Sequence, residues 1–469
     1  MSEPVYKLRS GIITSLDAAA QSVGFIAPVF VVAFMTTYVA AGAGFATPLA
    51  VLISGLGSIA VGYVVALFAM RHRAAGSIYT YLGRAFGPIP GFMAGWVYML
   101  ALLAFTMAMV TGMAGFISDF LADFFDIHVQ WFIFVVPEVI LLFAISYFDI
   151  RWSTRTQLTL VAISVLVVLI MATVIIFKGG AEGNSIEPFL PTSANGFGNL
   201  AFGLVIGMLM YTGYESAAVL AEEAKNRQVI PIAIISSAVL AMIFYVFVTY
   251  AFAIGFGKEG ATAWGQNPMV LFTMAGRYLG DWAIPVMFGT AILDAIALTM
   301  AILNTVARIL YAMGRDGTLP RILGRTQKKY QTPHIANGVA LIIALFFAGI
   351  LNGIADDWEV GFAFLNVMGG VAIEIIYISV AVSGFFYFKR VMGKDYSIFK
   401  HGIIPFIAIF VPSAALYGSL QPQGGILNAA PYFVLFWICL GIGIIYYLRS
   451  LNPEMIAKIG RNMGNDNTG

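Results

Sequence analysis

The sequence predicts an all-α membrane protein of about twelve spans, and three observations carry that prediction. Of 469 residues, 60% are hydrophobic and only 10% charged, where a soluble domain would carry about a quarter charged. Stretches of at least bilayer-crossing length, about 20 residues, run without a charge at 46 to 70, 156 to 177, 229 to 257 and 429 to 448. Blocks such as VLVVLIMATVIIF do not alternate apolar with polar residues, as the wall of a membrane barrel must.

In chain order the spans fall near 15 to 41, 46 to 70, 91 to 118, 130 to 149, 156 to 177, 198 to 221, 231 to 256, 283 to 313, 335 to 353, 360 to 388, 402 to 419 and 429 to 448. With the amino terminus inside, every one of the 25 Lys and Arg residues except Lys178, Lys258 and Arg277 lies in an inner segment. Cationic loops resist translocation, so this reading places both termini in the cytoplasm and the chain as a multi-pass protein of the cell membrane. The amino-terminal MSEPVYKLRSG has no short apolar core with a small-residue cleavage site, which predicts an uncleaved tail. Asp119, Asp123, Asp126, Glu182, Glu187, Asp356, Asp357 and Glu359 gather in the outer loops. They are either a field that concentrates cations at an entrance or ordinary solvated charges.

Several functions are excluded. A net charge of +2 with no Lys/Arg block beside exposed aromatics gives nucleic acid nothing to bind. No span holds a paired Ser/His or a metal-spaced His/Glu set, and His72, His128, His334 and His401 sit at or near loops, so no catalytic residue, metal site or enzyme activity is expected. The lone Cys439 can form neither an internal disulfide nor a thiolate metal site and is expected to pack inside the last span.

Carrying a solute across a bilayer requires polar contacts at mid-depth, which unwound backbone inside a span provides. In AAAQSVGFIAPVF the succession Gln21, Ser22, Gly24 and Pro28 predicts a break of span 1 near Val23 to Ile26. In IGMLMYTGYESAAVLAEEAKN, Gly207, Thr212 and Gly213 precede an intramembrane acid, Glu215, and predict a second break in span 6. Such clusters also mark close helix packing, but the two occupy matching positions if spans 1 to 5 and 6 to 10 are inverted repeats. Buried acids are costly in lipid and point to partners or cavities; Glu138, Glu215, Asp294 and Glu374 are the candidates. Asp294 lies near mid-membrane, to meet a substrate ammonium or coupling cation, or else as a protonated acid bonded to a neighbouring helix. Glu374 and Glu138 are coupling candidates or neutral bundle residues, and Asp17 reads as a cap or a gate partner.

Three stretches resemble an amino acid permease of the amino acid, polyamine and organocation superfamily: RAAGSIYTYLGRAFGP at 73 to 88, MYTGYESAAVLAEEAKNRQVIP at 210 to 231, and NTVARILYAMGRDGTLP at 304 to 320. The resemblance implies a tail at 1–14, inverted five-helix repeats at 15–178 and 198–390 with spans 1 and 6 broken, two further helices at 402–448 and a tail at 449–469. It implies that main-chain N–H groups at Ser22, Val23 and Gly24, beside Phe25, receive a substrate carboxylate. Carbonyls of Ala20, Leu209 and Thr212, next to Gly213, would hold the amine. Tyr211 or Tyr214 would act as an aromatic gate, or simply pack. Two departures stand out: Ser22-Val23-Gly24 replaces a pair of glycines flanking one residue, and Ser164 stands where many proton-coupled members have a lysine. That leaves Na+ near Ser164, a carboxylate-borne H+, or exchange. The expected function is secondary active transport of an amino acid by alternating access, as cation-coupled symport or exchange. A polyamine or simple amine carrier is the alternative, with a channel or receptor ranked below. No cofactor is expected beyond a coupling Na+ or H+; the partners are a small solute and the lipid bilayer, with the oligomeric state open.

Overall fold

As a single helix, the 57-residue apolar run Ser15–Arg71 would reach about 85 Å, nearly three times the hydrocarbon thickness of a bilayer. It turns back instead. In the computed structural model the turn is at Gly44, whose φ of 58° and ψ of −131° close one crossing. The structure describes residues 7–194, 196–354, 357–421, 424–451 and 453; Asp356, Lys458 and Arg461 lie outside them.

Span 1 consists of half-helices 1a, Ser15–Ile26, and 1b, Pro28–Ala43. Spans 2 to 5 are Thr47–Arg71, Pro88–Phe125, Phe132–Tyr147 and Ile150–Phe177. Span 6 divides into half-helix 6a, Phe197–Leu209, and a 3₁₀ segment 6b, Tyr214–Leu220. Spans 7 to 10 are Val229–Phe256, Ala283–Asp316, His334–Ile354 and Trp358–Val391, and spans 11 and 12 are Ile404–Ser419 and Ala430–Leu451. Three short helices that hydropathy does not reveal join them: Ile78–Phe86 between spans 2 and 3, and Ala261–Gly265 and Val270–Leu279 between spans 7 and 8.

The broken spans cross. Half-helix 1a packs on 6b, and 1b on 6a. The second contact is a close one: a Cβ on Gly42 would lie 2.8 Å from the Gly203 backbone nitrogen, so small residues set the approach. Span 2 lies along span 7 and span 3 against span 8, so corresponding members of the two five-span sets meet. Spans 4, 11 and 12 turn Ile133, Ile140, Phe406, Phe410, Leu435 and Phe436 outward, the apolar surface expected of a multi-pass membrane protein. Cys439 is exposed on that surface rather than packed inside span 12, because its helix touches the bundle along one face only.

Candidate functional site

The break in span 1 follows from one residue. Pro28 has no N–H and its ring crowds the carbonyl four residues back, so the helix stops ahead of it. Ala27 turns into the left-handed region (φ 47°, ψ 68°) and its N–H closes on the Val23 carbonyl, while Pro28 starts 1b at the position that tolerates it. The break therefore falls at Ala27, not at Val23 to Ile26 as expected: without a glycine pair, the chain at Ser22, Val23 and Gly24 stays wound. Its amides lie inside wound 1a, so none of them is open in this structure to receive the carboxylate that the family likeness implies. Ala20 likewise lies within the wound helix.

The amides that the break does expose belong to 1b, and Asp294 takes them. Val29 and Phe30 N–H both donate to its Oδ2 at 2.9 Å, a charge-assisted cap at a helix N-terminus. Asp294 is fully buried, and its Oδ1 has no hydrogen-bond partner among the described residues.

The break in span 6 is where the sequence places it. Half-helix 6a ends at Leu209, whose carbonyl accepts from Thr212 N–H at 3.1 Å. Gly213 then takes φ 108°. A Cβ there would stand 2.4 Å from the Phe25 ring, so Phe25 seals 1a against this turn. Tyr245 joins the two breaks, its Oη 3.0 Å from the Met210 carbonyl and 3.2 Å from that of Ile26. Ser22 Oγ donates to the Tyr214 carbonyl at 2.6 Å and accepts from Ala217 N–H at 3.2 Å, and Ser216 Oγ donates to the Gln21 carbonyl at 3.2 Å. Half-helix 1a is thereby stitched to 6b.

The remaining candidates disperse. Glu215 accepts from Tyr377 Oη at 2.7 Å and Tyr98 Oη at 3.3 Å, beside the Gly213 turn. Tyr211 donates to the Val51 carbonyl at 2.9 Å and Tyr214 stacks on Tyr377 at 5.7 Å; both are packing residues in this state. Ser164 Oγ bonds the Thr290 carbonyl at 3.0 Å and that of Leu160 at 2.9 Å, tying span 5 to span 8. Glu374 lies away from the breaks, accepting from Ser419 of span 11 at 3.1 Å. Glu138 is buried in peripheral span 4, neither oxygen bonded among the described residues. Asp17 caps 1a in a reciprocal pair with Thr14 and stands 3.8 Å from Arg155.

The two broken spans are flanked by two closed clusters of opposite chemistry. At the basic end Arg308 grips Glu223 with two bonds of 2.8 and 3.2 Å, both side chains 1% exposed. Arg315 grips Glu222 with bonds of 2.8 and 3.0 Å, and Ala75 N–H donates to the same carboxylate at 3.0 Å. Ile12 and Ile13 N–H close on the Glu223 carbonyl at 2.9 and 3.0 Å. Above this latch the Gln21 amide donates to the Ala301 carbonyl at 2.8 Å and accepts from Asn304 at 3.1 Å. At the opposite end Phe288 stacks on Phe116 at 4.3 Å and on Phe272 at 4.5 Å, with Phe120 at 4.8 Å. Phe30 and Phe34 of 1b extend the cluster. Sequence reasoning missed this plug; its only signal was the 38 phenylalanines.

Two crossed, broken helices around a buried acid, closed at both ends, define a multi-pass secondary transporter rather than an enzyme. The chain belongs to the amino acid permease family, whose model matches residues 13–448. It is similar to the methylthioribose transporter of Bacillus subtilis (strain 168), 23% identical over 95% of each chain. The low-affinity putrescine importer PlaP of Escherichia coli (strain K12) is 26% identical, over 83% of this chain and 86% of that one. The branched-chain amino acid permease BcaP of Lactococcus lactis subsp. cremoris (strain MG1363) is 27% identical, over 86% and 88%. A mutant of the Eremococcus coleocola manganese transporter shares the fold, with a TM-score of 0.59 at 14% identity over 98% of this chain and 99% of that one.

Proposed function

We propose that this protein moves a small organic solute bearing an amino group across the cytoplasmic membrane by alternating access, with its basic end in the cytoplasm. The observation that carries the reading is the unpartnered Oδ1 of buried Asp294 at the break in span 1. A carboxylate in the membrane interior is costly without a partner and attracts a cation, and the C-terminal carbonyls of 1a add to the same negative potential. Relatives named for putrescine and for branched-chain amino acids fit an amino-bearing solute. The excess of Lys and Arg around spans ending at Arg71, Asp316 and Val391 supports the orientation. Coupling runs through Na+, H+ or exchange.

Counterflow in proteoliposomes tests the reading. Vesicles preloaded with unlabelled amino acid or amine should accumulate the labelled solute transiently and saturably, and imposed Na+ and pH gradients identify the coupling ion. Flux that rises linearly without saturation would make the protein a channel.

A further inference from the structure

The first turn of 1b is a complete hydrogen-bond account. Pro28 has no N–H to satisfy, Val29 and Phe30 N–H are both bound to Asp294, and Val31 N–H returns to the Ala27 carbonyl at 3.0 Å. A helix N-terminus left open by a break is an anion receptor, and here a side chain of span 8 already fills it. The same arrangement strips donors from 1a. The Gly24 carbonyl faces Pro28, which cannot donate, and the Phe25 carbonyl loses Val29 N–H to Asp294. The Ile26 carbonyl likewise loses Phe30 N–H but accepts from Tyr245 Oη at 3.2 Å, so the Gly24 and Phe25 carbonyls are left without their usual helical donors near a carboxylate whose second oxygen is unbonded among the described residues in a fully buried position. Every group so freed is an acceptor, and every donor is taken.

Resting on the transport reading of this site, we propose that Asp294 is a built-in substitute for a solute carboxylate. The protein accordingly takes organic ammonium solutes that lack a carboxylate and discriminates against α-amino acids. A carboxylate entering the break would have to displace Asp294 from both amides and lie beside it at close range, two like charges in a medium of low dielectric. A primary ammonium needs no displacement: it meets Oδ1 while Oδ2 keeps capping 1b.

The test uses amines paired with the amino acids they derive from, so that only the carboxylate differs: putrescine with ornithine, cadaverine with lysine, isobutylamine with valine. In counterflow and in thermal stabilisation of the purified full chain, each accepted amine should act at a concentration at least tenfold below its amino acid. Asp294→Asn retains an acceptor for the 1b amides and removes the charge. It should keep the unfolding temperature while weakening amine binding tenfold or more, which a purely structural role would not do. Asp294→Ser empties the receptor and should shrink or reverse the preference; if it does not fold, the paired comparison on the unaltered protein still decides. Amino acids accepted as well as their amines, or full amine affinity in Asp294→Asn, would overturn the assignment and leave the transport reading standing. Saturable flux with no member of any pair would sink both.

Discussion

Breaking the Arg308–Glu223 pair should unlatch the basic end. Both side chains are 1% exposed, joined by two bonds, and Arg308 Nη1 also donates to the Asn304 carbonyl at 3.2 Å. Removing one partner of such a buried pair costs ~3–5 kcal/mol, because the other charge is stranded. At 1.4 kcal/mol per tenfold, about 3 kcal/mol specific to the closed state shifts the open population by roughly a hundredfold. The sole cysteine, Cys439, faces outward, so Cys439→Ser gives a clean background. In it, Thr305→Cys places a thiol on fully buried span 8 against the Gln21 amide of 1a. With Arg308→Met added, a membrane-impermeant maleimide applied at the basic face should alkylate that thiol about a hundred times faster than with Arg308 intact. The double substitution Arg308→Met with Glu223→Met removes both charges and should recover most of the lost thermal stability, with fast labelling retained. Equal labelling rates in all three proteins would refute the latch.

Three further outcomes follow from the same geometry. Phe288→Ala removes the ring at the centre of the aromatic plug, 3% exposed; it should cost ~3–5 kcal/mol and speed alkylation, from the face opposite Arg308, of an Ala291→Cys thiol one turn further along span 8, a position buried while the plug is closed. Gly213→Ala would place a Cβ 2.4 Å from the Phe25 ring at φ 108° and should destabilise by ~1–3 kcal/mol; Phe25→Ala in the same protein should recover the steric part in thermal unfolding but not the backbone part. Tyr377→Phe deletes the donor to Glu215 and the acceptor 3.3 Å from Gly213 N–H; a loss of ~1–3 kcal/mol is expected, and none would mean that water replaces the hydroxyl.

The crossings were legible because burial in lipid demands long uncharged helices, a signal that survives without any partner in view. Span 6 was legible too: Gly213 at φ 108° is a conformation that other residues adopt only under strain. Span 1 was expected to break one to four residues early because Gly24 and Pro28 together suggested a weak stretch at Val23 to Ile26, whereas only the proline is incompatible with the helix and it sets the break at Ala27. The three stretches that carried the family likeness converge on the latch: Ala75 from the first, Glu222 and Glu223 from the second, Arg308 and Arg315 from the third. Those motifs therefore reported how the basic end closes and said little of the solute. Asp294 was visible as a buried acid, but its capping of 1b depends on the approach of span 8 to a break about 265 residues away in sequence, which no local pattern encodes.

The bonds also divide span 1 into two pieces with different loyalties. Half-helix 1b is held to span 8 by Asp294, whereas 1a is held to 6b by Ser22 and Ser216, and the Glu223 carbonyl binds the extended segment entering 1a. What joins 1a and 6b to spans 5 and 8 is a separate polar set: Glu223 to Arg308, Gln21 to Ala301 and Asn304, Asp17 near Arg155. Opening the basic end must break that second set while leaving the first intact, since the serine bonds lie within the moving piece. The bend then has one place to occur. Ala27 already sits in the left-handed region and Pro28 contributes no N–H to the break, so rotation there sacrifices no further main-chain bond of the kind a continuous helix would lose. On the transport reading proposed above, Asp294 would stay with 1b, to which it is bonded, and the aromatic plug built on 1b, span 3 and span 8 would stay shut as the latch parts.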